Sequence, residues 1–329
     1  MESVTEDRRV AEAYRRWAAD EAGERSPRYA DWALGVADDP ALPSLLAELE
    51  PIKRQPNLLF AAARFEGVPV APWVEVRDML VGAWPAIRSC MLARMTQTNE
   101  ARRMATLLPA IAHLEGPIAL VEVGAAAGLC LYPDRWRFRF GPGRTLGDAS
   151  LPLLETEASP STPIPRAAPQ VAWRGGIDLQ PLDPAEPDTK AWLEALVWPD
   201  ATGAVDGARV DRVRTGIAIA RREPADIRRG DLTTDARALV ERAAAHAPNV
   251  VVWHSAVLAY VPAFERAAFA DLMGELDVTW VANEGAALEI GPPAPWAEPG
   301  MFVLRRGAEP IAVTDPHGAS IAWLDDIAL

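Results

Sequence analysis

The chain has 329 residues, enough for one large domain with an appendage or for two domains. Half of the residues are hydrophobic and 24% are charged, an ordinary soluble globular composition. Its 46 acidic residues outnumber 33 basic ones, and a net charge of −13 repels a polyanion, so nucleic acid is not an expected partner. Apolar runs stop well short of the roughly 18 residues of a membrane helix, which argues against a membrane role too.

The start, MESVTEDRR, has no apolar core, so no secretory signal is read there. Cys90 and Cys130 have no metal-ligand spacing and form no disulfide framework, which fits a reduced cytoplasm. Residues 1–115 read as helical throughout. Ser3-Val4-Thr5-Glu6 has capping-box spacing, and Val10, Ala13, Tyr14 and Trp17 mark a helical face. Ser26-Pro27 opens a second helix, and Pro56 to Phe65 forms another that Gly67 ends. A longer helical pattern runs from Ile87 to Leu114 and stops at Gly116-Pro117. Trp17, Trp32 and Trp73 fall at core-facing helical positions.

From 116 to 329 the texture is α/β. Ile118–Val123 is a buried-type strand, followed by strands at 171–179, 225–231, 249–255 and 277–283. Helical patterns separate the later ones: Asp188–Val197, Asp206–Arg221, Thr234–His246 and Pro262–Glu275. Strands and helices alternating in this way predict a mostly parallel sheet covered on both faces. The last strands, around MFVLRRG and IAVTDPHGASIAWL, have no helix between them and predict a closing antiparallel hairpin. Trp136, Phe138 and Phe140 alternate with arginines before Gly141-Pro142-Gly143, which predicts a hairpin. With the proline-rich stretch after it, residues 134–170 are expected to form an insertion over the top of the sheet.

The first strand ends in Glu122-Val123-Gly124-Ala125-Ala126-Ala127-Gly128. The spacing resembles the acid-x-Gly-x-Gly-x-Gly motif of class I S-adenosylmethionine-dependent methyltransferases, with Ala126 where the middle glycine belongs. Small residues there let a cofactor approach the backbone and allow positive φ. The competing reading is that Gly124 and Gly128 merely permit close packing of strand and helix. Pro133 follows, so the next helix must be short or kinked.

Asp178 closes the second strand, where the resemblance implies a ribose-binding carboxylate, with Asp183 as a rival. Asp231 closes the third, near where an adenine amino group would lie. Each acid could instead cap a helix. His254 ends the fourth strand and is the first candidate for a proton acceptor, set against a buried histidine satisfied by a carbonyl. Ser255 and Tyr260 beside it, and Glu284 after the fifth strand, are expected on the substrate side. Gln97, Asn99, Glu100 and Arg103 interrupt an apolar pattern, so they either line that cleft or cap a new helix. No metal site is expected.

The stretches KRQPNLL (53–59), QTNE (97–100), VEVGAAAGL (121–129), RGGIDLQPLD (174–183), WLEALVWPD (192–200) and HSAV (254–257) together resemble an uncharacterised bacterial domain-of-unknown-function family (number 2332). That resemblance implies a Rossmann-like, methyltransferase-type fold with a helical N-terminal part, and it assigns no catalytic residue. The expected function is S-adenosylmethionine-dependent methylation of a small molecule. The alternatives are a noncatalytic binding or regulatory module that has lost the cofactor, and an enzyme using another nucleotide-like cofactor such as NAD.

Overall fold

The computed structural model describes residues 5–298 and 300–326. Its helices, in chain order, are α1 Glu6–Trp17, α2 Pro27–Asp38, α3 Leu42–Ala47, α4 Pro56–Phe65, α5 Trp73–Gly82, α6 Trp84–Ala93, α7 Met104–Ala110, α8 Pro187–Ala195, α9 Gly207–Arg222, α10 Ala236–Ala244 and α11 Ala263–Glu275. Its strands are β1 Ile118–Val123, β2 Arg137–Phe140, β3 Arg144–Leu146, β4 Leu153–Ala158, β5 Val171–Asp178, β6 Asp226–Arg229, β7 Asn249–Ser255, β8 Thr279–Gly285, β9 Phe302–Arg306, β10 Glu309–Thr314 and β11 Ser320–Trp323. Among the described residues no helix is long and apolar enough to cross a membrane.

The chain divides into two compact units, one up to Thr98 together with Glu186–Val213, the other Asn99–Ala185 together with the chain from Arg214. The first unit is helical. Helix α1 buries Val10, Ala11, Tyr14 and Trp17, with Ala13 outward instead of inward, and Ser3 of the expected capping box lies outside the described residues. Tyr29, Trp32 and Phe60 pack ring against ring with centroids 4.9–5.7 Å apart, and pairs of this kind add about 0.5–1.5 kcal/mol beyond area burial. The expected helix after Pro56 forms and ends at Gly67 in a left-handed conformation (φ 92°). Arg64 from that helix donates to the carbonyls of Ala195 and Val197, which satisfies the end of α8. Trp73 lies against Gly35, where any side chain would collide with the indole.

The second unit is a mixed sheet with helices. Its strand order is β3-β2-β4-β11-β10-β9-β8-β7-β1-β5-β6. Strands β6, β5, β1, β7 and β8 run parallel, while β9 joins β8 antiparallel and β10 and β11 continue antiparallel. All six residues of β1 are buried between β5 and β7, as its nearly unbroken apolar run requires. The strand order reverses between β1 and β7, the place where open α/β sheets present their carboxyl ends to ligands. One face packs Val121, Val123, Val250, Val252 and Ala282 against α10 and α11 through Leu239, Phe269 and Met273.

Three sequence expectations are corrected. The pattern from Ile87 to Leu114 is not one helix: α6 stops at Ala93, extended chain follows, and a 3-10 turn at Ala101–Arg103 leads into α7. Asn99, Arg102 and Arg103 turn their hydrogen-bonding groups to tertiary partners, which a continuous helix would prevent. No helix follows β1; residues 124–135 form turns, because Gly124, Ala126 and Gly128 adopt positive φ (71°, 49° and 69°) and such residues do not propagate a right-handed helix. The hairpin does form, as β2 and β3, but the 134–170 excursion extends the far edge of the sheet instead of lying over its top. There Phe138 and Phe140 bury one side of the ribbon while β4 pairs with both β2 and β11.

Candidate functional site

The turn after β1 is held by groups from several distant segments. Gly124 and Ala125 donate their N–H groups to the Ile177 carbonyl (2.8 and 3.0 Å). Ala126 donates to the Asp178 carboxylate (2.8 Å), whose other oxygen accepts from Gln180 (2.8 Å). Leu129 donates to the side-chain oxygen of Asn99 (2.8 Å), so Asn99 pins the loop and does not cap α7. Val257 lies against Gly124 and Ile227 against Gly128; at either glycine a Cβ would come within 2.4 Å of that neighbour. The glycines therefore admit this chain's own side chains, and Ala125 to Gly128 are buried.

Strand alternation then sorts the remaining candidates onto two faces. His254 shares the core face with Val250 and Val252. It is fully buried, its Nδ1 lies 2.7 Å from Oε1 of Glu284, and its Nε2 receives the Trp280 indole N–H at 3.0 Å. An indole only donates, so Nε2 accepts and the ring proton sits on Nδ1, pointing at Glu284. The carboxylate of Glu284 also accepts from the backbone N–H groups of Val257 and Leu258. Neither ring nitrogen of His254 is presented to a substrate, so the role of proton acceptor does not fit it. Glu284 is 1% exposed and holds the loop after β7.

Glu122 and Ser255 leave the opposite face. Glu122 is 4% exposed, and its Oε2 has no hydrogen-bond partner among the described residues. Burial pushes its carboxyl well above the usual carboxylate range; the Arg103 guanidinium opposes the shift and the charge of Asp178 adds to it. The Cys130 thiol lies against this carboxyl and 3.3 Å from the Glu100 carbonyl, and burial pushes the thiol well up. Trp253 pairs in register with Glu122 on the neighbouring strand, and its buried indole N–H also lacks a partner. Among the described residues an unmet donor and an unmet acceptor thus belong to paired residues of adjacent strands, on one face of the sheet.

Arg103 is fixed over this face by the turn between β10 and β11. Its guanidinium donates to the carbonyls of Pro316 (2.8 Å) and Ser255 (3.2 Å), and Gly318 lets that turn approach the Arg102 carbonyl. Glu100 caps the 3-10 turn by accepting from the Arg102 N–H (3.1 Å). Buried Asn283 completes the set: Thr314 donates to its oxygen at 2.7 Å, and its amide reaches Ser255 Oγ (3.4 Å) and Thr106 (3.5 Å). Sequence reading missed Asn283, Thr106, Thr314, Trp253 and Trp280. Asn283 was accessible in principle, since it sits beside Glu284 in a strand and alternation puts the two on opposite faces.

The other candidates spread along the same edge. Asp231 is partly exposed and holds its own turn, accepting from the Thr233 N–H (2.7 Å) and hydroxyl. Leu179, directly after Asp178, is 66% exposed, and Tyr260 is 49% exposed in the 3-10 turn after β7. Asp183 accepts from the Ala185 N–H at 2.8 Å. Gln97 belongs to the first unit. Asp178 ends β5 and Asp231 lies just past β6, the neighbouring strand, and Leu179 beside Asp178 is exposed. The glycine turn beside them is closed by Val257 and Ile227.

No curated protein and no solved structure matches the chain. A family model described as "Uncharacterized protein conserved in bacteria (DUF2332)" matches residues 11–323, and the chain belongs to that family.

Proposed function

We propose that the protein is an S-adenosylmethionine-dependent methyltransferase of a small molecule, with Glu122 in place of His254 as the proton acceptor. The observation that carries the enzymatic reading is Glu122 itself, a buried carboxyl with an unpartnered oxygen at the strand-order reversal. Raised carboxyl pKa values of this kind suit proton transfer near neutral pH, since the carboxylate becomes a stronger base. Asp178 and Asp231 would accept from ribose hydroxyls and the adenine amino group, and Leu179 would lie against the base. When bound, the cofactor supplies an electrophilic methyl group. The chain positions the substrate nucleophile through Glu122, the Trp253 indole and Arg103, and Glu122 takes up its proton.

A noncatalytic binding module is the second reading. It is favoured by the seating of Val257 on Gly124 and Ile227 on Gly128, and by the lack of a helix after β1. Calorimetry with S-adenosylmethionine and its demethylated product separates the two. Saturable micromolar binding supports the enzymatic reading, and no heat from either compound overturns it. Glu122→Gln is expected to retain binding and lose transfer.

A further inference from the structure

Away from the Glu122 face, the second unit contains a cavity of about 340 Å³ between the turn after β1, the segment after β5 and the end of α9. Such a volume falls within the range of small-molecule pockets. Its wall is apolar and stiff, with Pro181, Leu182, Pro184, Pro224 and Ile227 among the lining residues. Proline has no N–H, so this wall offers carbonyl acceptors and few donors. Tyr132 also lines it, but its hydroxyl is committed to the Glu223 carbonyl (2.8 Å).

Two charges stand on the rim. Arg221 is exposed in the last turn of α9, and no described residue forms an ion pair or hydrogen bond with its guanidinium. Asp183 is the second. One of its oxygens closes a local turn at Ala185, and it forms no ion pair with Arg221. A cation and an anion that line one cavity without pairing with each other complement a ligand that carries both charges. A simple fatty acid would leave Asp183 unmatched, and a simple amine would leave Arg221 unmatched.

We propose that this cavity binds a small aliphatic zwitterion of the α-amino-acid type. Its carboxylate meets Arg221, its ammonium meets Asp183 and the neighbouring carbonyls, and its side chain lies among the prolines, Leu182 and Ile227. The Leu182 N–H donates to the Ala126 carbonyl (3.0 Å), so the cavity wall and the glycine turn are one connected piece of backbone. This site does not depend on the methyltransferase reading, because it uses none of the Glu122 face.

Calorimetric titration of the full chain with L-leucine, 4-methylpentanoate and 3-methylbutylamine tests the assignment. Leucine is expected to bind, and each analogue lacking one charge is expected to bind at least about tenfold more weakly. Arg221→Ala should weaken leucine at least about tenfold, and Asp183→Asn should weaken it while keeping the turn acceptor. Ala185→Trp, filling the cavity from its rim, should abolish binding with an unchanged circular dichroism spectrum. The proposal is overturned if leucine gives no saturable heat at millimolar concentration, if either analogue equals leucine, or if Arg221→Ala binds like the parent.

Discussion

Nδ1 of His254 and Oε1 of Glu284 lie 2.7 Å apart with both side chains shielded from solvent. The pair anchors the chain that follows β7, because Glu284 also receives the N–H groups of Val257 and Leu258. Glu284→Ala would strand three buried donors at once and is expected to cost about 3 kcal/mol or more. Trp280→Phe, which deprives His254 Nε2 of its donor, should cost about 1–2 kcal/mol. Urea unfolding measures both, and a loss under about 1 kcal/mol for Glu284→Ala would show that the anchor is unimportant.

The same anchor sets Val257 on Gly124. Gly124→Ala meets two penalties, a left-handed φ of 71° and a collision with Val257. A loss of about 2–4 kcal/mol is expected, with part of it recovered in the double variant Gly124→Ala/Val257→Ala. The unrecovered remainder measures the backbone term. Ala126→Gly runs the other way. It relieves a left-handed alanine at φ 49° and should be stabilising by about 0.5 kcal/mol after the entropy cost of glycine.

Glu122 makes stability depend on pH in a definite direction. Its folded-state pKa is raised above the unfolded value near 4.5, so the folded state holds the proton longer. The stability this provides is complete below that unfolded value and is lost as pH rises through the folded pKa, at up to about 1.4 kcal/mol per pH unit. Glu122→Gln removes the dependence. The variant should therefore gain on the parent as pH is raised above about 5 in denaturant titrations. A constant difference between the two across that range would mean that the carboxyl is ionised throughout.

Both cysteines should resist alkylation in the folded protein. Burial pushes the Cys90 thiol up to about 11, and Cys130 is raised well above its ordinary value by burial, with the charges of Glu122 and Glu100 adding to it. Thiolate is the reactive species, so at about pH 8 iodoacetamide should label neither until denaturant is added. Mass spectrometry of the native and unfolded samples reads the result. Rapid labelling of Cys130 in the native state would instead place it on an accessible site.

The sequence by itself determined the local elements of the second unit. Apolar runs ending in Asp178, Ser255 and Asn283, spaced by helical patterns, can bury themselves only in a parallel sheet. Glu122 to Gly128 marked the tight turn at its first strand, and Phe138 and Phe140 marked a hairpin, since alternation and glycine chemistry act over a few residues. Tertiary structure alone decided the rest, because those outcomes depend on partners far away in the chain. Pairing of β4 with β11 carried the hairpin to the far edge, and the Leu129 N–H drew Asn99 out of what periodicity read as one helix. Proximity in sequence grouped His254 with Ser255, but alternation sent the histidine to Glu284 and Trp280 in the core and the serine to Arg103 and Asn283. A strand end states only that a polar residue reaches the edge; what packs on each face decides whether it is spent on structure or left to meet a ligand.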